Sequence, residues 1–270
     1  MSPARRPAPA GRYRLRDVVK SEALKAVTLP STAVVVALTV VAALLVTGLV
    51  SRAALHHSPA FYVGFDPTQE SLTGLVVAAL TGGVLGALLI TGEYSSGSIH
   101  STIAATPRRP VLLIAKLGVT AIAAVVFCEL LSLVSFFVGQ AILAGGGAPS
   151  ASLASPGASR AVAMTGVFVA LMALMSFGFG LLMRSTAGAI GAFAGVVFVL
   201  PLVMYGISEP DLRFVPSIIL ENSIMATVRQ TPASTGVVLP LSPVTGLLLM
   251  AGYTVLALAL GSVLFVRRDA

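Results

Sequence analysis

Glu129 is the acidic residue that lies deepest in any of the long apolar runs of this sequence. A carboxylate in the middle of a membrane-spanning helix costs about 2.5–3.5 kcal/mol on insertion scales, so something has to offset its charge. A protonated form, water, or a hydroxyl from Ser132 or Ser135 on the same helix could do so. Two interpretations of Glu129 stay open: a group that lines a conduit or contacts a substrate, and a protonated structural carboxyl at a helix interface.

Other residue types that commonly do chemistry are sparse. The histidines His56, His57 and His100 lie in polar segments, and the adjacent pair points to different faces of any regular element, which disfavours a metal site. Cys128 is the only cysteine, which excludes an intrachain disulfide and a thiolate metal cluster, and it fits a small buried apolar residue. We therefore predict no catalytic residue, no metal site and no bound cofactor.

Two familiar motifs are absent. No G-x-x-x-x-G-K-[ST] segment occurs, so the chain lacks the usual loop for nucleotide phosphates. No H-E-x-x-H segment occurs either, and no histidine lies in an apolar run where an intramembrane hydrolase would need its base. The chain is not predicted to be an enzyme, and any energy from ATP must come from another polypeptide.

The composition is that of a membrane protein. Of 270 residues, 56% are hydrophobic and only 10% are charged, which is too apolar for an ordinary water-soluble domain. The net charge of +7 comes from basic residues at the ends of apolar runs, where anionic lipid headgroups are their natural partner. We predict an all-α polytopic membrane protein that contacts lipids and no nucleic acid.

Six apolar runs reach membrane-spanning length. They lie at about 31–50, 72–90, 117–143, 161–183, 187–205 and 244–266. Residues 1–12 are rich in Pro, Ala and Arg and are predicted to be a disordered tail. Residues 13–28 alternate apolar and charged side chains at helical spacing, with Leu15, Val18, Val19, Leu24 and Val27 on the apolar face. This pattern predicts an amphipathic helix along the membrane surface.

The basic residues also predict an orientation. Thirteen of the 17 Lys and Arg residues lie in segments on the same side as the amino terminus, and four lie on the other side. The positive-inside rule then places both termini, segment 91–116 and the turn at Arg184 in the cytoplasm. A location in the plasma membrane is expected from the family resemblance given below. On the outer side, Leu220, Ile224 and Val228 of the long segment 208–240 predict one short amphipathic helix.

The polar segment 91–116 between the second and third spans carries the densest pattern. It reads Glu93, Tyr94, Ser95, Ser96, Gly97, Ser98, Ile99, and later Pro107, Arg108, Arg109 and Lys116. Residues 98–105 are predicted to form a short helix with Ile99 and Ile103 on one face, ended by Pro107. A second pattern, R-S-T-A-G-A-I from Arg184, forms a tight turn between the fourth and fifth spans.

These patterns resemble ABC-2 type permeases, the membrane subunits of one class of ABC transporter. The family's E-x-x-x-G-[ST]-[IL] segment, followed by P-x-R and Lys, matches segment 91–116, and its R-[ST]-x-A-G-A-I turn matches the pattern at Arg184. The carboxyl-terminal R-R-D-A is similar to actinobacterial-type members. The resemblance implies one transmembrane domain over 13–270, pairing as a homodimer, which moves an unidentified substrate with ATP hydrolysed by separate ATPase subunits.

The resemblance also implies which residues couple the permease to its ATPase. These are Glu93, Tyr94, Gly97, Ser98, Ile99, Ile103, Pro107, Arg108 and Arg109. Glu93 is expected to pair with a basic residue of the ATPase or to cap the coupling helix.

Two other functions fit the same sequence. An ion-coupled secondary transporter or a channel could use Glu129 as its proton or ion site. A membrane scaffold could recruit a soluble partner through segment 91–116 without transporting anything. The sequence shows no internal repeat of the kind found in many secondary transporters, which weighs against the first alternative.

Overall fold

The computed structural model describes residues 15–28, 30–57, 62–98, 109–207, 209–226 and 241–267, and regular structure within these ranges is entirely helical. The α-helices are α1 Leu15–Thr28, α2 Pro30–Ala54, α3 Pro67–Leu72, α4 Gly74–Ser95, α5 Arg109–Gly145, α6 Ala158–Met183, α7 Thr186–Ala194, α8 Leu200–Ile207, α9 Pro216–Ile224 and α10 Pro243–Arg267. A π-helical turn, Gly195–Val199, joins α7 to α8, and a 3-10 helix, Glu209–Phe214, precedes α9.

Six helical stretches are long and apolar enough to cross a membrane, which confirms the predicted all-α, six-span class. They are Pro30–Ala54, Pro67–Ser95, Pro110–Gly145, Ala158–Met183, Thr186–Ile207 and Pro243–Arg267. The first and last helices of the chain, α1 and α10, place Val18 and Phe265 in one apolar cluster. We call that end of the bundle the α1 end, and the opposite end, where α9 packs, the α9 end.

Two spans continue further into segment 91–116 than predicted. Helix α4 runs on to Ser95 and α5 already begins at Arg109, so both flanks of the predicted loop are helical. At about 1.5 Å per residue, the 37 residues of α5 span roughly 55 Å, well beyond a hydrocarbon layer about 30 Å thick. Helix α5 is therefore longer than the apolar layer is thick. Residues 1–14, which include the predicted disordered tail, lie outside the described residues.

Helix α6 occupies the centre of the bundle. Its side chains Phe168, Met172 and Phe177 are fully buried, and it packs against α4, α5, α7 and α10. Small residues allow the closest approaches, since a Cβ atom on Gly86 of α4 would overlap the main-chain oxygen of Ala173. In lipid, where apolar burial gives no net driving force, such close backbone packing is the main source of helix association.

Helix α2 is apolar on its outside and more polar on its inside. Its exposed face carries Val34, Leu38, Val41, Leu45 and Leu49. Its buried face carries Thr39, Ala43, Thr47 and Ser51. Small and hydroxyl side chains are favoured at helix interfaces in membranes, where large aliphatic side chains can face the acyl chains at no cost. The pattern is that of a helix surrounded by lipid on one side.

The fifth span is interrupted by a π-helical turn with an identifiable cause. Pro201 lies in the first turn of α8 and has no backbone N–H, so the carbonyl four residues earlier, at Val197, loses its usual donor. The helix widens at Gly195–Val199 directly before this proline, and Val197 itself is buried. A local widening of this kind is a common response to a break in the backbone hydrogen-bond ladder.

At the α9 end, two charged side chains hold the last described residues after α9. Asp66 caps α3 by accepting from Thr68 N at 2.9 Å, and its other oxygen accepts from Ala226 N at 2.7 Å. Arg160 of α6 donates to Met225 O at 2.8 Å and to Ala226 O at 2.9 Å. The predicted amphipathic helix is present as α9, with Leu220 and Ile224 buried, whereas Val228 lies outside the described residues.

Candidate functional site

The candidate site is a set of four charged residues at the α1 end, where α1, the end of α4 and the start of α5 meet. They are Glu22, Lys25, Glu93 and Lys116, here called the ion-pair cluster. Lys116 Nζ lies 2.5 Å from Glu22 Oε2 and 2.7 Å from Glu93 Oε1. Lys25 Nζ lies 3.0 Å from Glu22 Oε1 and 3.4 Å from Glu93 Oε1. Two carboxylates and two ammonium groups thus balance one another across three helices.

Burial makes Lys116 the central cation of the cluster. Lys116, Glu22 and Glu93 are all buried, while the side chain of Lys25 is 41% exposed and covers the outer side. Charges taken out of water are stable only when partners and hydrogen bonds compensate them, which these short contacts do. The cluster therefore fastens α1, the end of α4 and the start of α5 together, and α4 and α5 are the helices that flank segment 96–108 in the sequence.

An apolar contact between α1 and the bundle places Glu22 next to its partners. Val18, one turn earlier on the same face, is buried in a cluster with Ile90 of α4 and with Leu112 of α5. Of the predicted apolar face, Val18 and Val19 pack inward against the bundle, whereas Leu24 is 66% exposed on the outside of the helix. The inward face instead continues from Val18 to Glu22.

Glu22 is not among the functional residues predicted from the sequence. A charged residue on an amphipathic surface helix is normally assigned to the polar face. The available signal was its spacing, because Glu22 follows the buried Val18 by four residues and so lies on the same face.

The pKa values of the two α1 groups follow from their neighbours. Burial alone would raise the pKa of Glu22, but Lys116 and Lys25 outweigh it and the pKa is lowered below 4.5. Burial would likewise lower the pKa of Lys25, but Glu22 and Glu93 outweigh it and the pKa is raised above 10.5. Both groups are therefore charged at neutral pH.

These shifts predict a loss of stability in acid. Because the pKa of Glu22 is lower in the folded protein, its pairing stabilises the fold above pH 4.5 and is lost as the pH falls through the folded value. The stabilisation from Lys25 is present below pH 10.5 and is lost only above it. We expect the melting temperature in lipid nanodiscs to decrease as the pH is lowered below 4.5. Glu22→Gln should show a smaller fall than wild type, and equal falls would contradict this assignment.

Glu93 is the predicted coupling residue, and the structure gives it partners within its own chain. It lies in the last turns of α4, buried, with Oε1 paired to Lys116 and Lys25. Its second oxygen, Oε2, is buried and accepts no hydrogen bond from any residue that the structure describes. The charge of Glu93 is thus balanced internally, which the prediction of an ATPase partner did not anticipate, while one acceptor atom stays available.

The two sequence patterns noted separately are brought into contact at the α1 end. The guanidinium of Arg184 lies 5.5 Å from the centre of the Tyr94 ring, a cation–π distance. Two residues after Arg184, Thr186 Oγ1 donates a hydrogen bond to Thr91 Oγ1 of α4 at 2.8 Å. Arg184 ends α6 in the left-handed conformation with φ 52°, and Ser185 caps α7. The α6–α7 turn is therefore fixed to the end of α4.

The remaining predicted coupling residues are described only in part. Gly97 follows the end of α4 in the left-handed conformation with φ 70°, and Ser98 is exposed. Arg109 is the first residue of α5, and its side chain is not described. The others lie outside the described residues, as does most of the predicted coupling helix: Ile99, Ile103, Pro107 and Arg108.

Glu129 lies at the edge of the α5–α6 contact, half-buried, against Gly166. A Cβ atom added to Gly166 would be 2.6 Å from Cδ of Glu129, so glycine is what makes room for the carboxyl. The backbone of Val167 forms a hydrogen bond with it. The predicted same-helix partners are wrong, since Ser132 donates to the carbonyl of Val162 and Ser135 Oγ has no hydrogen-bond partner among the described residues.

Comparison with known proteins adds no identification, because no family model matches the chain and the curated proteins contain no match to it. The six apolar helices nonetheless settle the broad class. This is a multi-pass membrane protein. Its function has to be argued from the ion-pair cluster, the segment that leaves it, and Glu129.

Proposed function

We propose that this protein is the membrane-spanning permease subunit of an ABC transporter of the ABC-2 type. In this proposal it is an exporter in the plasma membrane, it pairs with a second copy of itself, and separate ATPase subunits supply the energy. The concentration of basic residues at the α1 end favours a cytoplasmic position for this end and for both termini. The resemblance of segment 91–116 and of the Arg184 turn to the family supports the class.

The observation that carries the proposal is the placement of the ion-pair cluster. Glu93 lies three residues before Ser96 and Lys116 lies eight residues after Arg108, so the cluster joins both ends of segment 96–108. Glu22 ties the same point to α1, and Arg184 on Tyr94 ties it to the α6–α7 turn. A push on this segment would therefore move α1, α4, α5 and the α6–α7 turn together rather than bend one loop.

Helices that are joined in this way suit a transporter that alternates between two conformations. ATP binding closes the pair of ATPases, which pushes segment 96–108, and the joined helices of each permease then rock between inward-open and outward-open packings. The exposed Ser98 and the coupling residues from Ile99 to Arg109 form the docking surface. Glu93 and Tyr94 lie one layer deeper than this docking surface, where they transmit the displacement to the bundle.

Replacing residues 96–108 with a Gly/Ser chain of equal length tests the docking assignment. We expect the six spans to insert normally and the copurifying ATPase activity to be lost, because the docking side chains are gone while the ion-pair cluster is kept. The matched control is the same replacement of residues 227–239, at the other end of the bundle, which should leave the ATPase bound. Retention of ATPase activity by the first variant would remove segment 96–108 from the proposal.

A second measurement separates a transporter from a scaffold. Ser152 is exposed at the α9 end, so a cysteine placed there in a Cys128→Ala background can be labelled. Its labelling rate reports whether nucleotide binding to an ATPase at the α1 end changes the conformation of the opposite end. A permease should change its labelling rate when ATP and vanadate trap the ATPase, because the two ends move together. A scaffold would bind the ATPase and leave the labelling rate unchanged.

A further inference from the structure

Glu129 differs from the buried Glu22 and Glu93 in having no cationic partner among the residues that the structure describes. Glu22 and Glu93 each pair with Lys116. Among the residues that the structure describes, none of the ion pairs includes Glu129, and its one hydrogen bond is with the Val167 backbone. This hydrogen bond brings no positive charge to the carboxyl, so no described residue balances a negative charge at this position.

The carboxyl is also on an outward edge. On α5 its neighbours Val126 and Leu130 are 53% and 58% exposed, so the side chain lies where the α5–α6 pair faces away from the rest of the bundle. Hydrocarbon cannot solvate a carboxylate, and charged groups at this depth almost always face a water-filled cavity or a partner of opposite charge. The edge formed by Glu129 and its exposed apolar neighbours is therefore not an ordinary lipid-facing surface.

We propose that Glu129 is the anionic element of a substrate-binding site on this edge, and that the transported compound is an amphiphilic organic cation. The carboxylate supplies the charge for a cationic group, and the exposed valine and leucine side chains beside it supply an apolar surface for the rest of the molecule. Gly166 has no side chain, which leaves room for the carboxyl at the contact between α5 and α6. This assignment rests on the proposed transport function, whose substrate class it names.

The test uses two probes of the same shape and opposite charge, tetraphenylphosphonium and tetraphenylborate, with the purified full chain in nanodiscs. Wild type should bind the cation more tightly than the anion. Glu129→Gln keeps the shape and the acceptor for Val167, so it should keep the melting temperature while weakening cation binding about tenfold or more. Anion binding should stay the same or tighten. Glu129→Asp keeps the carboxyl on a side chain that is shorter by one methylene group, so it should retain part of the cation preference.

Two controls test whether cation binding depends on the position of the Glu129 carboxyl. Glu70→Gln makes the same chemical change on α3, away from this edge, and should bind both probes like wild type. Gly166→Ala should weaken cation binding in the wild-type background and add nothing in the Glu129→Gln background, because it acts only through the carboxyl. Unchanged cation binding in Glu129→Gln, equal binding of both probes by wild type, or no binding of the cation would each overturn the site.

The binding assay contains no ATPase, so it fails independently of the proposed function. A chain that binds the cation through Glu129 but never associates with an ATPase would keep the site and lose the ABC assignment. A chain that carries an ATPase through segment 96–108 but ignores Glu129→Gln would keep the assignment and lose the site.

Discussion

Lys116→Met should lower the melting temperature of the protein by roughly 10 °C in nanodiscs. The substitution leaves Glu22 and Glu93 buried beside each other with only the half-exposed Lys25 between them. Breaking a buried ion pair by removing one partner costs about 3–5 kcal/mol, since the remaining charge loses its compensation. For a chain of this size each 1 kcal/mol shifts the melting temperature by about 2–4 °C.

Two further variants show whether the effect comes from the charge. Lys25→Met removes the exposed cation of the same cluster and should cost less than about 1 kcal/mol, because water screens that pair. Combining Lys116→Met with Glu22→Gln and Glu93→Gln neutralises the cluster and should restore most of the loss. If Lys116→Met and Lys25→Met melt alike, the cluster does not hold this end of the bundle together.

Gly86→Ala should destabilise the α4–α6 contact by about 1–2 kcal/mol. The added methyl would overlap the main-chain oxygen of Ala173, and a backbone atom of the central helix cannot move aside as the end of a side chain can. Overpacking of this kind typically costs about 1–3 kcal/mol, against which alanine's better helix propensity offsets at most about 1 kcal/mol. Thermal unfolding monitored by circular dichroism measures the difference.

Gly82→Ala is the matched control for this prediction. It lies one turn earlier on the same face of α4, yet its added methyl would be 3.9 Å from both Ala173 Cβ and Val169 Cγ1, an ordinary contact distance. We expect its melting temperature to stay the same or to rise slightly, through helix propensity alone. Equal destabilisation by Gly82→Ala and Gly86→Ala would show that glycine itself, rather than the Ala173 carbonyl, matters at this crossing.

The glycines show what a sequence pattern leaves open. Gly82, Gly83 and Gly86 lie within one stretch of five residues of α4, and small residues of this kind favour close helix packing in membranes. The structure distinguishes the three glycines by their neighbours. A methyl on Gly83 would meet the movable ring of Phe193, one on Gly86 would meet a fixed carbonyl, and one on Gly82 would fit. Nothing local to α4 contains this information, because the neighbours belong to α6 and α7.

The helix ends near segment 91–116 show the same limit. Lys116 was interpreted as the threshold of the third span, because a lysine next to an apolar run normally lies in the headgroup region. In the structure it is buried within α5, and α5 begins at Arg109. Its carboxylate partners supply the compensation that the headgroups would otherwise supply.

The sequence by itself determined the six membrane-spanning helices and the α-helical class. Long apolar runs in lipid can satisfy their backbone hydrogen bonds only within a helix, so length and composition are sufficient for that conclusion. It also singled out Glu93, Glu129 and Arg184 as the polar residues to explain.

Only the tertiary structure decided what these residues contact. The partner of Glu22 lies 94 residues away along the chain, and Thr186 reaches Thr91 across 95 residues. Such pairings depend on how the helices pack side by side, and helical spacing specifies which residues share a face without specifying which face of another helix they meet. That is why the ion-pair cluster, the contact of Arg184 with Tyr94 and the seat of Glu129 on Gly166 emerged only from the folded bundle.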